Sequence, residues 1–400
     1  MAVRVAESAV KCLTLHSLAI PMRRKVAHAA STRDVAEPIV VAIELIGGAV
    51  GYGETLPRPY VTGEDNGSAL AAIGDELAPR LLELHPERFA HALEAIDALP
   101  WRTRAGAPMP AARAAVELAL LDVYSRHFRR PIHDVAGWLG MAGFGAPGSS
   151  PRVRYSGVLT SEKLTSTRRT LRMLWWYGLR HFKLKVADAG ECERLELVLR
   201  YLRRGIDRGR ATLRLDANGG WTPDAALERL GDWREMPIAG IEQPLPKGRE
   251  DQLKLLADVS HAPLFHDESL VTLDDARRLI ELGVAGGFNI RLSKCGGLIP
   301  SLKVAELARH HGVAIQLGCM VGETSILSAA GRRFIEMVPG VNFAEGWFGS
   351  FLLSDDVIAR PLRFGFGGRG RDLPGLGWGI DVEPEALQKL ASQPATRFEL

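Results

Sequence analysis

No apolar run in this sequence approaches the ~20 residues that a membrane-crossing helix needs, so a helical membrane protein is not expected. Cysteine is sparse. Cys12, Cys192, Cys295 and Cys319 form no CxxC pair, which argues against a zinc ribbon or a disulfide framework and fits a reducing compartment. The N-terminus alternates polar and apolar residues and builds no signal-peptide core. Behind Arg23-Arg24 the segment from Lys25 to Glu37 is too polar for the apolar stretch of a twin-arginine leader, so the expected location is the cytoplasm. An excess of one charge is missing too: 50 basic and 47 acidic residues leave a formal net charge of +3. Arg200, Arg203, Arg204, Arg208 and Arg210 follow an amphipathic stretch with acidic neighbours and no interleaved aromatics, which reads as a solvated helix face. Neither a nucleic acid nor a membrane is expected as a partner.

Two familiar motifs fail on context. Gly365-x-Gly367-Gly368-x-Gly370 satisfies GxGxxG, yet Arg371-Asp372-Leu373-Pro374 stands where a helix should begin, so dinucleotide binding is not expected. Ser325 lacks the surroundings of a nucleophile elbow.

What the chain has is 400 residues, 46% of them hydrophobic, enough for two unequal globular domains. Strand-like runs at Val10 to Leu18, Ile39 to Glu44 and Ala49 to Glu54 precede helical patterns between Ala69 and His127, among them a strongly apolar stretch from Ala111 to Tyr124. This reads as an α+β domain over residues 1–135. From Arg152 short β-like runs alternate with amphipathic helices: Val153 to Val158, His181 to Val186, Thr212 to Asp216, Ile238 to Glu242, Leu264 to Asp267, Gly287 to Leu292, Ala314 to Leu317 and Val341 to Glu345. Eight such units predict an α/β fold with a TIM-type barrel over 136–365, followed by a segment, 366–400, that packs back on the first domain.

Barrel sites lie where strands end, and charged residues end five consecutive units here: Lys185, Asp216, Glu242, Asp267 and Lys294. Asp216, Glu242 and Asp267 would converge from neighbouring strands. Each pair of carboxylates at ~4 Å repels by about 4 kcal/mol at an effective dielectric of 20, a cost that a divalent cation removes. Three hard oxygen donors without thiolate or imidazole favour Mg2+ or Mn2+. Lys183 and Lys185, two apart on a strand, share one face, and their mutual repulsion moves lysine toward a neutral, basic form. Lys294 would reach the same pocket from the far side. Two bases on opposite faces of one carbon suit removal of a proton from one side and its return on the other.

These residues resemble the enolase superfamily, and within it the mandelate racemase and muconate-lactonizing subgroup, over nearly the whole chain. The matching segments are Gly51-Tyr52-Gly53-Glu54, Phe182-Lys183-Leu184-Lys185-Val186, Leu215-Asp216-Ala217-Asn218, Ile241-Glu242-Gln243-Pro244, Asp267-Glu268-Ser269, Lys294-Cys295-Gly296-Gly297 and Gly318-Cys319-Met320-Val321-Gly322-Glu323. The resemblance implies a modified barrel under an N-terminal α+β capping domain, with Mg2+ on Asp216, Glu242 and Asp267. It implies Lys185 and Lys294 as acid and base, Lys183 tuning Lys185, and a homo-oligomer acting on a small carboxylate. The implied first step takes the proton α to the carboxylate through an enolate stabilised by the metal. Racemisation or epimerisation of an α-substituted carboxylate, such as an amino-acid derivative, is the expected outcome. Cycloisomerisation of the muconate type and dehydration share that step.

Asn218, Gln243 and Glu268 stand beside the expected ligands as supporting candidates, and His266 is expected to pack. The family places loops around Pro21 to Arg33 and Thr55 to Thr62 over the site, making Arg23, Arg24, His28 and Arg33 candidate substrate contacts. Dipeptide epimerases of the subgroup carry an Asp-x-Asp pair near the last strand to hold an ammonium group. Here the stretch reads Ala344-Glu345-Gly346-Trp347, leaving Glu345 alone as a partial replacement.

Overall fold

The computed structural model describes residues 7–28, 31–145 and 154–399; the side chains of 24–28 and 31–33 lie outside the described set. The chain opens on β1 (Val10–Ser17), β2 (Ile20–His28), β3 (Ser31–Ala36), β4 (Ile39–Leu45) and β5 (Val50–Thr55). β4, with its β-branched run Ile39-Val40-Val41, lies between β1 and β5 and is buried along most of its length. β2 and β3 pair as a separate antiparallel hairpin where the sequence suggested a loop. The basic run Arg23-Arg24-Lys25 breaks the polar–apolar alternation by which a strand is recognised.

Packing explains the Gly-Tyr-Gly-Glu segment of β5. The helix Pro110–Phe128 crosses it so closely that a Cβ on Gly53 would sit 2.0 Å from Ala115 O, and one on Gly51 2.3 Å from Val123 N. Only glycine fits against another backbone at that range. Gly53→Ala is expected to cost about 3 kcal/mol, at the upper end for an overpacked core, read as a lower urea midpoint at unchanged slope. Glu54, fully buried, accepts from Thr324 N (2.7 Å), Thr324 Oγ1 (2.7 Å) and Leu327 N (2.9 Å), and so caps the helix Ser325–Met337. Glu117 does the same for the helix Leu298–His310, accepting from Leu298 N and Ile299 N at 3.0 and 2.8 Å. Two buried acids of the first 135 residues thus fasten helices of the second unit by first-turn N–H groups that lack a partner within the helix.

That second unit contains β6 (Gly157–Leu159), β7 (His181–Lys185), β8 (Thr212–Asp216), β9 (Gly240–Glu242), β10 (Leu264–His266), β11 (Gly287–Ile290), β12 (Ala314–Leu317) and β13 (Val341–Ala344). They form one eight-stranded parallel sheet in sequence order. A parallel bridge between Tyr155 and Ala344, with Ser156 N donating to Ala344 O at 2.8 Å, links the lead-in of β6 to β13. The first of these strands begins later than its apolar pattern suggested, because Tyr155 and Ser156 serve that bridge. Gly240 and Gly287 flank Phe265, whose ring would lie 2.6 and 2.4 Å from a Cβ at either position.

The C-terminal strand β14 (Thr396–Glu399) joins the first sheet beside β1. At the opposite edge of that sheet the buried Trp378 donates Nε1–H to Tyr52 O of β5 at 2.9 Å. Among the described residues no helix is long and apolar enough to cross a membrane.

Segments of the first unit lie against loops at the carboxyl ends of the parallel strands. Thr55 Oγ1 and Leu56 N meet Ser293 Oγ at 2.8 and 3.2 Å, Arg58 Nη2 donates to Val321 O at 3.1 Å, and Lys247 Nζ donates to Val61 O at 2.8 Å. At the hairpin, Ser354 N donates to Pro21 O at 2.9 Å.

Candidate active site

Side chains on a strand alternate between faces, so residues two apart on β7, β8, β9 and β11 share the interior of the sheet. Lys185, Asp216 and Glu242 fall in one register row across three adjacent strands. Beneath them Lys183 is 3% exposed and its Nζ lies 3.3 Å from Asp216 Oδ2, 3.1 Å from Glu242 Oε1 and 2.9 Å from Glu345 Oε2. Burial opposes its charge, but Glu242, Glu345 and Asp216 outweigh that and hold it protonated, well above the usual lysine value. Lys185 responds the other way. Burial lowers it, Asp216 works against the fall, and the cations Lys183 and Arg291 add to it, so Lys185 is less basic than an ordinary lysine. Its Nζ donates to Asn218 Oδ1 at 2.8 Å.

Asp216 is buried, yet Lys183, Lys185 and Arg291 pull it down to about 2, so it is a carboxylate at any working pH. Glu242 accepts from Lys183, from Asn289 Nδ2 at 2.8 Å and from Gln316 Nε2 at 2.9 Å. Asp267, also buried, is held low by Arg291 and Lys294. Arg291 Nη2 bonds Asp267 Oδ2, and Lys294 Nζ lies 3.0 Å from Oδ1.

The remaining expected residues divide. Asn218, in the left-handed region at φ +45°, donates its N–H to Asp216 Oδ1 at 3.1 Å. Gln243 accepts from Asp267 N and Ser269 N at 3.0 and 3.2 Å and donates to Leu245 O, so it ties the end of β10 to the loop after β9. Glu268 is buried with Oε2 lacking any hydrogen-bond partner, and burial together with Asp267 pushes its carboxyl up to about 8. His266 packs, with Nε2 2.9 Å from Val284 O, and burial lowers it to about 4. Arg23 is held by main chain, donating to Leu353 O at 2.7 Å and Ser354 O at 3.2 Å. The side chains of Arg24, His28 and Arg33 lie outside the described residues.

Lys294 is paired within the protein. It is wholly buried, and its three N–H bonds are matched by Asp267 O (2.6 Å), Asp267 Oδ1 (3.0 Å) and Asn289 O (2.8 Å). Glu345 is engaged as well, one oxygen on Lys183 and the other 3.1 Å from Arg214 Nη1. Arg214, Asn289, Arg291 and Gln316 complete this polar interior without having been singled out in the sequence. The available signal was alternation: Arg214 is two before Asp216, and Arg291 two after Asn289.

A divalent cation can be tested against these groups. The donor set fits: Asp216 and Glu242 present hard oxygens within 3.3 Å of the single nitrogen Lys183 Nζ, and Asp267 supplies a third carboxylate from the next strand. Next to Asp267 in the chain, the buried Glu268 has Oε2 unpartnered. Among the described residues no three acids are arranged to hold an ion: Asp216, Glu242 and Glu345 converge on Lys183 Nζ and Asp267 is paired with Arg291, a contact it would exchange for the ion.

An eight-stranded parallel sheet with helices between its strands, gathering acids and a weakened lysine at its carboxyl ends, places the chain among α/β enzymes. Residues 13–137 match the model of the mandelate racemase / muconate lactonizing enzyme N-terminal domain, and residues 166–386 that of the enolase C-terminal domain-like family. The chain belongs to this family and is an isomerase of the enolase superfamily. An L-Lys-D/L-Arg epimerase of Methylococcus capsulatus is 32% identical over 80% of this chain and 84% of its own length. An N-succinyl-L-Arg/Lys racemase of Bacillus cereus is 26% identical over 95% of this chain and 97% of its own. Among solved structures, a dipeptide epimerase from Enterococcus faecalis V583, complexed with Mg and L-Leu-L-Tyr, matches at TM-score 0.78 and 23% identity, over 93% of this chain and 99% of that one.

Proposed function

We propose that the chain removes the hydrogen α to the carboxylate of an amino-acid derivative, and that protonation of the opposite face gives the other stereoisomer. The observation that carries this reading is the single row of Lys185, Asp216 and Glu242, with Lys185 less basic than an ordinary lysine. In this reading the eight strands close into a barrel over 136–365, the domain 1–135 covers its mouth, and 366–400 returns to that domain. Asp216, Glu242 and Asp267 would hold Mg2+, which supplies positive charge to a carboxylate that becomes a dianionic enolate. The α C–H bond breaks, the proton passes to Lys185 Nζ, and the electron pair moves into the enolate. Lys183 stays charged and keeps Lys185 poised to accept. Asn218 orients the Lys185 amine, and Gln243 holds Asp267 in place.

The names of two relatives point to amino-acid derivatives bearing a basic side chain. Glu345 favours an acylated nitrogen over a free ammonium, because Lys183 and Arg214 already engage both its oxygens. A second reading, ring closure or loss of a β substituent from the same enolate, has one observation on its side: Lys294 has no N–H outside its three acceptors.

The test is hydrogen exchange. In deuterated water with Mg2+, N-acyl amino acids are expected to acquire deuterium at the α carbon, and EDTA to stop the exchange; NMR of the product separates a stereoisomer from a ring or an alkene. If no acyl amino acid, dipeptide or unsaturated diacid incorporates deuterium, the proposal fails.

A further inference from the structure

We infer that Arg291, and not Lys294, is the group that meets the substrate on the wall facing Lys185, and that Lys294 is a positioning residue for Asp267. The inference rests on the α-proton reading above and deepens it. β7 and β11 stand four places apart in a sheet of eight whose outer strands are bridged, so their ends face each other across the interior. Lys185 is the last residue of β7 and Arg291 the first after β11.

The side chain at 291 points inward. Asn289, two residues earlier on the same face, donates to Glu242 inside the sheet, and Arg291 reaches Asp267. The neighbouring strand makes room for it: a Cβ on Gly318 would sit 2.9 Å from Arg291 Cγ. The Arg291 side chain is 14% exposed, whereas that of Lys294 is 0% exposed, and Arg291 Nε–H is buried without a hydrogen-bond partner. An unmatched donor on a fixed cation beside the acids suits an anionic oxygen of the substrate.

The exchange of roles has a chemical consequence. A guanidinium donates hydrogen bonds but does not give up its proton in proteins, so it stabilises the enolate without serving as a base. Lys185 is then the one base. A proton taken by Lys185 and returned by it on the same face exchanges with solvent and leaves the configuration unchanged. Inversion needs a proton delivered from the Arg291 side, which there must come from water, and by microscopic reversibility the reverse reaction gives one up to water on that side. Exchange therefore outpaces inversion.

The experiment follows each stereoisomer of N-succinyl-lysine separately in deuterated water with the full chain and Mg2+, reading α-hydrogen loss by NMR and inversion by chiral chromatography. One stereoisomer is expected to exchange faster than it inverts by a factor on the order of 10², the usual contribution of a placed general acid or base. Arg291→Lys supplies an amine at that wall and is expected to raise the ratio of inversion to exchange about tenfold or more. Lys294→Met is expected to slow exchange of both stereoisomers alike and to lower Tm. Equal exchange of both stereoisomers by the wild-type chain, with an Arg291→Lys ratio that does not move, would overturn the inference while leaving the α-proton reading intact. So would a Lys294→Met variant that loses exchange of one stereoisomer alone. Absence of exchange from either stereoisomer and from every other carboxylate tried would overturn the reading and the inference with it.

Discussion

Lys185→Met is expected to lower α-hydrogen exchange by a factor on the order of 10³ to 10⁴ while leaving Tm within a few degrees of the wild-type value. The methionine chain fills nearly the same volume along the wall of β7 and loses only the amine. That amine has one protein acceptor, Asn218 Oδ1, so its removal leaves no buried acid without a cation: Asp216 keeps Lys183. The pH dependence carries the same signature. A base must be neutral to accept, and burial with the help of Lys183 and Arg291 lowers Lys185 below the ordinary 10.5. The exchange rate of the wild-type chain therefore rises with pH along a limb centred below 10.5, and in Lys185→Met that limb is absent. A variant that keeps both the rate and the limb would remove Lys185 from the chemistry.

Glu242→Gln is expected to act on stability and metal response together. Both oxygens of Glu242 are surrounded by donors: Lys183 Nζ at 3.1 and 3.2 Å, Asn289 Nδ2 at 2.8 Å and Gln316 Nε2 at 2.9 Å. Glutamine turns one acceptor into a donor facing donors and takes a negative charge from beside Lys183. Breaking a buried pair in this way costs about 3 to 5 kcal/mol, which urea unfolding would read directly. The wild-type chain is also expected to gain Tm as Mg2+ is added, because an ion that binds only the folded state stabilises it by mass action. Glu242→Gln should lose that gain. A variant with unchanged stability and an unchanged response to Mg2+ would take Glu242 out of the ion's coordination and out of the polar interior.

The alternation of apolar runs with amphipathic stretches made the parallel sheet legible, and the residues at five strand ends carried the outline of the site. Strand ends are readable because hydrophobic periodicity is local: Phe182 to Lys185 or Leu213 to Asp216 states both a strand and its last inward residue. The hairpin of β2 and β3 was not legible, since the basic run in β2 hides its period. Nor could local pattern distribute the cations. Arg291 and Lys294 are three residues apart just past the end of β11, and the alternation that carries Arg291 inward with Asn289 gives no direction for Lys294.

By itself, then, the sequence determined the order of elements, the family and the kinds of group brought to the carboxyl ends: three acids, two lysines on β7 and a basic residue beyond β11. Only the tertiary structure decided which partners those groups take. Charge pairing acts through space over a few ångströms, and the acceptors that saturate Lys294 come from Asp267 and Asn289. The two cations that engage Glu345 come from strands β7 and β8, more than a hundred residues away in the chain. The glycines show the same division. Gly53 and Gly318 are visible as letters, but the helix carbonyl that excludes a side chain at one and the arginine stem seated against the other exist only once the chain has folded.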